Sequence, residues 1–456
     1  MPYIPHSDAD RAAMLAAIGV RSMDELFGDV PEHVRFPELD LPAALSEMEG
    51  RWELEVLAEA NFNAGSGPCF LGAGAYRHFV PAVVDAVVRR GEFYTAYTPY
   101  QPEVSQGTLQ AIFEYQTMIC NLTGMEVSNA SHYDGATATA EAVITAISVH
   151  RLKRRKVVMS PSVYPEYRAV VRTYTQGMGL SVVGDEPAGP GAHDSAGWAS
   201  ASTLKELIDD DTACVIVQYP DFLGRIEDLS ELAAAAHAAR ALLVVVADPI
   251  ALGLLKPPGA FGADIVVGEG QGLGAGLSFG GPYLGFFATR QKYVRKMAGR
   301  LVGQTVDAEG ERGFVLTLTT REQHIRRERA TSNICTNQGL VVLAAAVYMA
   351  ALGKCGMRRV AELCYHRAHY AQQQIGQIEG FSVVGDAPFF KEFVVRCPRP
   401  VAEINDYLLN EWGIIGGYDL GRDYAALKNH MLVCVTEMNP REDIDMLVEA
   451  LQEVAL

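Results

Sequence analysis

Positive charge is in deficit in this sequence. Its 38 lysines and arginines face 55 aspartates and glutamates, a formal net charge of −17. A polyphosphate would be repelled by such a chain, which excludes nucleic acid as an expected partner. An anionic substrate would need local cations or backbone amides. The eight cysteines never fall at C-x-x-C spacing, and most sit in apolar runs such as Ala213-Cys214-Val215-Ile216. That pattern reads as reduced core thiols, not as a disulfide scaffold. No apolar stretch reaches the roughly 18 residues that a membrane span requires. The start, Met1-Pro2-Tyr3-Ile4-Pro5-His6, lacks a basic region followed by an apolar run. No secretory signal is read there, and the expectation is a cytoplasmic protein. Internal repeats and low-complexity tracts are also missing.

What is present is apolar: 49% of the 456 residues are hydrophobic and 20% charged. That composition buries large cores and suits about two to three domains. Residues 1–60 read as a helical arm of the kind that wraps a partner or covers a main domain. Ser7 with Asp10 and Ser22 with Glu25 resemble capping boxes. Residues 61–340 read as a large α/β domain, opened by a long amphipathic helix from Pro102 to Thr123 that Gly124 stops. Short apolar strands follow at about 156–160, 213–219, 242–248, 264–267 and 283–288, with helical segments such as 228–240 between them. Continuous apolar strands alternating with helices predict a mainly parallel sheet covered on both faces. Residues 341–456 read as a small α+β domain, entered by a helix from Gln338 to about Glu379. Its strands are expected near 381–384, 392–396 and 431–437. The segment 184–201 reads as a surface loop.

Two local signals suggest a site. In His132-Tyr133-Asp134-Gly135-Ala136-Thr137-Ala138-Thr139-Ala140-Glu141, a polar glycine turn runs straight into an alanine-rich helix. Free amides at that start, around Asp134, Gly135 and Thr137, can hold a phosphate with help from the helix dipole. Glycine turns also precede helices with no ligand. In Val246-Ala247-Asp248-Pro249, an aspartate leaves the C-terminal end of a buried strand, where α/β sheets place their sites. Such an aspartate can also simply cap a loop. Together the two signals suggest the large domain of a fold-type-I pyridoxal-phosphate (PLP) enzyme, in which the aspartate keeps the pyridine nitrogen protonated.

The lysine that such an enzyme needs for an imine with the cofactor is missing. Residues 257–291 contain no lysine. Lys256 comes too soon after Asp248, and Lys292 lies beyond a further strand. The expected position falls at Gln271 or Gly272, and an amide cannot form an imine. Covalent PLP on this chain is therefore not expected. The glycine run 268–274 fits no G-x-G-x-x-G register, and close backbone approach to a ligand or partner explains it better.

The sequence also resembles a known family. Tyr94-Thr-Ala-Tyr97-Thr-Pro-Tyr100-Gln-Pro-Glu-Val-Ser-Gln-Gly is similar to its Y-T-P-Y-Q-x-E-x-x-Q-G segment. Glu114-Tyr-Gln-Thr-Met-Ile-Cys-Asn-Leu-Thr-Gly-Met, Tyr133-Asp-Gly-Ala-Thr-Ala, Leu277-Ser-Phe-Gly-Gly-Pro-Tyr-Leu-Gly and Arg329-Ala-Thr-Ser-Asn-Ile-Cys-Thr-Asn-Gln resemble it too. The family is glycine dehydrogenase (decarboxylating), in its subunit 1 or N-terminal-half type, and the likeness runs over nearly the whole chain. Gly272, where proline is expected, and Asn337, where alanine is more usual, are minor departures.

The resemblance implies a heterotetramer in which a second subunit carries the PLP-lysine. Glycine would be decarboxylated there and its aminomethyl group passed to the lipoyl arm of H-protein. It also implies that this chain reaches toward the partner's PLP through Thr331, Ser332 and Asn333. Thr331 and Ser332 alternatively cap the next helix. Tyr94, Tyr97 and Tyr100 would line a substrate or lipoyl passage, or serve only packing. His366 and His369 share a helix face, but no acidic or cysteine ligand accompanies them, and no metal is expected. A second function remains open: a scaffold that stabilises the PLP subunit and docks H-protein without catalytic groups of its own.

Overall fold

The computed structural model describes residues 6–186, 201–319, 322–334 and 338–455. The chain divides into two units, Met1–Phe62 and Asn63–Leu456. In the first, helices Asp8–Ile18 and Glu47–Glu59 each open on a complete capping box, Ser7 with Asp10 and Ser46 with Glu49. The Ser46 box was not expected from the sequence. The Ser22 expectation is half met. Ser22 Oγ accepts from Glu25 N–H, but the Glu25 carboxylate turns to Arg21, and only a 3-10 turn, Asp24–Phe27, follows. Neither helix buries a residue within its unit, and Trp52, Leu54 and Leu57 are exposed.

The second unit is built on a seven-stranded sheet: β1 Val127–Ser128, β2 Lys156–Met159, β3 Ser181–Val183, β4 Thr212–Tyr219, β5 Leu242–Ala247, β6 Ile265–Glu269 and β7 Gly285–Thr289. Its order is β1-β7-β6-β5-β4-β2-β3. Strands β3, β2, β4, β5 and β6 pair in parallel, and β7 runs antiparallel to both its neighbours. The sheet is mainly parallel, as read. The period-2 geometry of a strand explains its apolar runs. In β5, Leu243, Val245 and Ala247 enter one core with helix Gln106–Thr123, while Leu242, Val244 and Val246 enter another with helices Gly135–Val149 and Pro165–Thr175. The long helix predicted from Pro102 starts at Gln106, after a 3-10 turn Pro102–Val104, and ends at Gly124 with φ 70°.

A hairpin follows, β8 Leu301–Val306 with β9 Arg312–Thr317. A second sheet, order β10-β11-β13-β12, is antiparallel: β10 Ser382–Val383, β11 Glu392–Arg396, β12 Tyr418–Asp419 and β13 His430–Cys434. Helices Val401–Trp412 and Arg441–Ala455 and the end of helix Gly339–Ile375 form its core. Among the described residues, Gly339–Ile375 is long and apolar enough to cross a membrane. This corrects the sequence reading, which counted uninterrupted apolar runs. Val342, Ala345, Tyr348, Ala361 and Cys364 of that helix are buried in the protein core. The cysteine reading also needs correction, because Cys355 is exposed. Cys335, Asn337 and most of 184–201 lie outside the described residues.

The segment 69–79 runs between the two sheets. Phe70 bonds Ile415 and Cys434 through its backbone, and Ala73 N–H donates to Glu392 of β11. The turn after β4 meets the same place. Gly224 has φ +87°, and a Cβ there would overlap the Glu392 carbonyl. Gly224→Ala is therefore predicted to destabilise by about 2 kcal/mol or more through strain and overpacking. A urea-unfolding midpoint unchanged from the parent would contradict this packing.

Candidate functional site

Asp248 leaves β5 at the C-terminal edge of the parallel sheet. Its Oδ1 accepts from Ile250 N–H at 2.9 Å, so it caps the turn. Its Oδ2 lies 2.7 Å from Nζ of Lys391, whose side chain is 2% exposed. Lys391 immediately precedes β11 in the other sheet. Its ammonium stands 3.3 Å from the centre of the Tyr76 ring and 3.2 Å from His78 Nε2. His78 Nδ1 is 2.7 Å from Glu437 Oε2, and Glu437 Oε1 accepts from Phe79 N–H at 2.7 Å. The result is a buried row: carboxylate, ammonium, imidazole, carboxylate. Burial pushes Asp248 upward, but Lys391 overrides it and holds the carboxyl below its ordinary value. Burial likewise opposes Glu437, and His78 brings it down to about 2. Burial works against the Lys391 charge, and Asp248 restores it to above the ordinary lysine value.

A second set lies at the end of β6. Glu269 Oε2 accepts from Gly135 N–H at 3.0 Å, and Oε1 accepts from Gln271 and Leu284 N–H, both at 2.9 Å. The Asp134 side chain accepts from Thr137 N–H at 2.7 Å. The amides expected to be free for a phosphate at Gly135 and Thr137 are thus taken by the chain's own carboxylates, as a helix N-terminus favours. A Cβ on Gly135 would overlap the Tyr167 hydroxyl and Glu269 N, so the approach requires glycine. Gln271, 1% exposed, holds the Tyr76 backbone through both its amide atoms at 3.0 Å. Glu392 accepts from Tyr76 Oη–H at 2.8 Å. Burial lifts both Glu269 and Glu392 to about 7.

Little space is left. The cavity among Gly74, Tyr76, Asp248, Gln271 and Lys391 is about 20 Å³. That admits a water molecule, whereas small-molecule sites run from about 300 Å³ upward. The groups that would hold PLP in this chain do not fit it here, because the aspartate faces Lys391 and the helix start faces Glu269. Lys256 and Lys292 lie elsewhere, over Phe261 and near Asp264.

The structure brings Asp134, Gly135, Thr137, Asp248 and Gln271 to these strand ends. It places the other candidates separately. Tyr94 and Tyr97 are 64% and 74% exposed. Tyr97 borders a cavity of about 160 Å³ with Arg300, and Tyr100 Oη accepts from Arg300 at 2.9 Å. Ser332 Oγ donates to Glu141 at 2.8 Å and accepts from Ile334 N–H at 3.1 Å. It therefore does not cap helix Gly339–Ile375, whose N-cap is Gln338. Thr331 and Asn333 are exposed. His369 stacks between Tyr365 and Phe389.

Sequence reasoning missed His78, Cys364 and Glu437, whose ligand atoms lie within 4.8 Å of one another. Their mutual bonds, Cys364 Sγ to Glu437 at 3.3 Å included, account for the cluster. It also missed Lys391 and Glu392. A readable signal existed, since Phe389-Phe390-Lys391-Glu392-Phe393-Val394-Val395 puts two charges inside a buried strand run, and buried charges must be paired.

Sheet order, helix placement and strand-end groups define the fold of PLP-dependent transferases. Sphingosine-1-phosphate lyase from Burkholderia pseudomallei shares it with TM-score 0.64 and 15% identity, over 93% of this chain and 94% of that one. The likeness to one family goes much further. A family model described as "Glycine cleavage system P-protein" matches residues 1–451. A crystal structure of inhibitor-bound glycine decarboxylase (P-protein) of the glycine cleavage system superposes with TM-score 0.90 at 46% identity, covering 100% of both chains. A protein of Thermomicrobium roseum named probable glycine dehydrogenase (decarboxylating) subunit 1 is 57% identical over 453 residues, 99% of each chain. The chain belongs to the glycine cleavage system P-protein family.

Two outcomes follow from the charge arrangement. Removing one member of a buried pair strands the other, so Lys391→Met alone is predicted to cost about 3–5 kcal/mol, and the double change with Asp248→Asn clearly less than the two single costs added. A double-mutant cycle in urea checks this; strict additivity would contradict the pair. Glu392, at about 7 folded against an ordinary 4.5, holds a proton between those values that the unfolded chain releases. Its stability contribution is full below about 4.5 and is lost as pH rises through 7. Glu392→Gln should therefore gain stability relative to the parent between pH 6 and pH 8, read from urea midpoints; a constant difference would contradict it.

Proposed function

We propose that this chain is the lysine-free subunit of a two-subunit glycine decarboxylase. With a PLP-bearing second subunit it decarboxylates glycine and passes the aminomethyl group to the lipoyl arm of H-protein. The observation that carries this reading is the pair of self-engaged anchors: Asp248 faces Lys391 and the Gly135 helix start faces Glu269, in a chain that matches the P-protein family from end to end. A cofactor that cannot be seated here is held by the partner. When bound there, PLP supplies an electron sink for loss of the carboxylate.

This chain contributes in three places. Thr331, Ser332 and Asn333 present short neutral side chains toward the phosphate of the partner's cofactor. The exposed Tyr94 and Tyr97, with Tyr100 fixed by Arg300, line the passage for glycine or the lipoyl arm. The arm 1–60 lays its exposed apolar residues on the partner, and 341–456 forms a small domain against the large domain 61–340. The assembly is a heterotetramer. The interlocked buried charges also favour a second reading, in which the chain only stabilises the PLP subunit and docks H-protein.

Glycine–bicarbonate carboxyl exchange tests the proposal, with PLP and H-protein present. This chain alone is expected to be silent, and mixing it with its lysine-bearing partner is expected to give exchange. Exchange by this chain alone would overturn the reading. Tyr97→Phe or Thr331→Ala lowering exchange in an intact assembly by about tenfold, the worth of one hydrogen bond to a charged group, supports shared catalysis. Full exchange in both variants supports the scaffold.

A further inference from the structure

Glu141 is a buried carboxyl outside both the Asp248–Lys391 row and the Glu269 set. It lies in helix Gly135–Val149, below the candidate phosphate-facing loop, and is 2% exposed. Its Oε1 receives the Ser332 hydroxyl at 2.8 Å, while its Oε2 is buried with no hydrogen-bond partner among the described residues. An orphaned carboxylate oxygen away from water is costly and calls for an explanation.

We infer that Glu141 is the positioning residue for Ser332, and that a proton on its carboxyl turns the Ser332 hydroxyl outward to an incoming phosphate group. This rests on the reading that 331–333 faces the partner's cofactor.

The hydroxyl's own inventory gives the logic. Ser332 has one proton and two lone pairs. One lone pair is taken by Ile334 N–H at 3.1 Å. With Glu141 ionised, the single proton goes to Glu141, and an approaching phosphate would meet lone pairs above a buried negative charge. With Glu141 protonated, its O–H donates to the second Ser332 lone pair, and the serine proton is free to donate outward. Phosphate contact and proton uptake by Glu141 are then coupled.

The surroundings suit an anion. Ser148, Arg295, Lys296, Arg326, Thr331 and Ser332 line a cavity of about 330 Å³ beside the loop. Glu322 borders it too, 3.4 Å from the Arg300 guanidinium and 3.5 Å from His324. The influences on Glu141 are burial, which raises its carboxyl to about 7, and the Ser332 bond, which opposes that. On the neighbouring helix Pro165–Thr175, Tyr174 feels Glu141 together with Asp134 and Tyr133. From β6, Glu269 contacts the start of the Glu141 helix at Gly135. The carboxyl therefore titrates in the neutral range, where a proton is available to move.

The test uses the complex assembled with the lysine-bearing partner. PLP affinity is read by absorbance titration at pH 6 and pH 8, with phosphate-free pyridoxal as the reference for the imine's own pH dependence. In the parent complex, PLP affinity relative to pyridoxal is expected to fall about tenfold from pH 6 to pH 8, the worth of one hydrogen bond to a charged group. Glu141→Gln, whose amide donates permanently, is expected to bind PLP tightly at both pH values. Ser332→Ala is expected to be weak at both, with pyridoxal affinity unchanged. If Ser332→Ala weakens PLP but Glu141→Gln keeps the parent's pH dependence, the positioning role is overturned. If Ser332→Ala binds PLP as the parent does, the loop does not face the phosphate, and the reading beneath this inference falls with it.

Discussion

Taking the Lys391 ammonium and the Asp248 carboxylate out of water costs several kcal/mol for each ion, and their 2.7 Å contact has to offset most of it. That pairing can exist only if the strand end after β5 and the strand start of β11 stay together. Tyr76 and His78 are held between them by the same ammonium. Glu437, reached through His78, extends the tie past β13. The contact between the two sheets is therefore built from charges that cannot be separated cheaply, and the 69–79 segment is fixed as a consequence.

The same arrangement occupies the two anchor points that this fold offers at its strand ends. A parallel sheet places an aspartate at one strand end and a helix N-terminus beside the next, and both demand an opposite charge. Here Lys391 answers the aspartate and Glu269 answers the helix. Gln271, near the position at which a cofactor lysine is expected from the sequence, ties the Tyr76 backbone. Groups that would otherwise present unpaired charge inside the protein have been satisfied locally. Tyr94 and Tyr97 are exposed, and neither they nor residues 331–333 line the small pocket beside Asp248.

Much of this was legible in the sequence. Strands β4, β5 and β6 announced themselves as unbroken apolar runs because both faces are covered, Asp248 stood out at the end of β5, and Gly135 at the start of its helix. Strands β1, β3 and β12, two or three residues each, are too short to show a period, and the β8–β9 hairpin is only half buried. The lysine gap after Asp248 was visible, but its replacement was not. Lys391 comes far later in the chain, and long-range pairing of charges leaves no local spacing to read. The exposed Cys355 was missed for a related reason: on the helix that carries both it and the buried Cys364, burial follows the tertiary contacts on each face more than the neighbouring residues.

The central claim is that this chain's own pocket is closed to PLP by its own charges. Borohydride reduction of the PLP-loaded complex, followed by mass spectrometry of both chains, tests it most directly. The account predicts phosphopyridoxyl label on a lysine of the partner and none on this chain. Label on Lys391, the lysine that sits against Asp248, would contradict it.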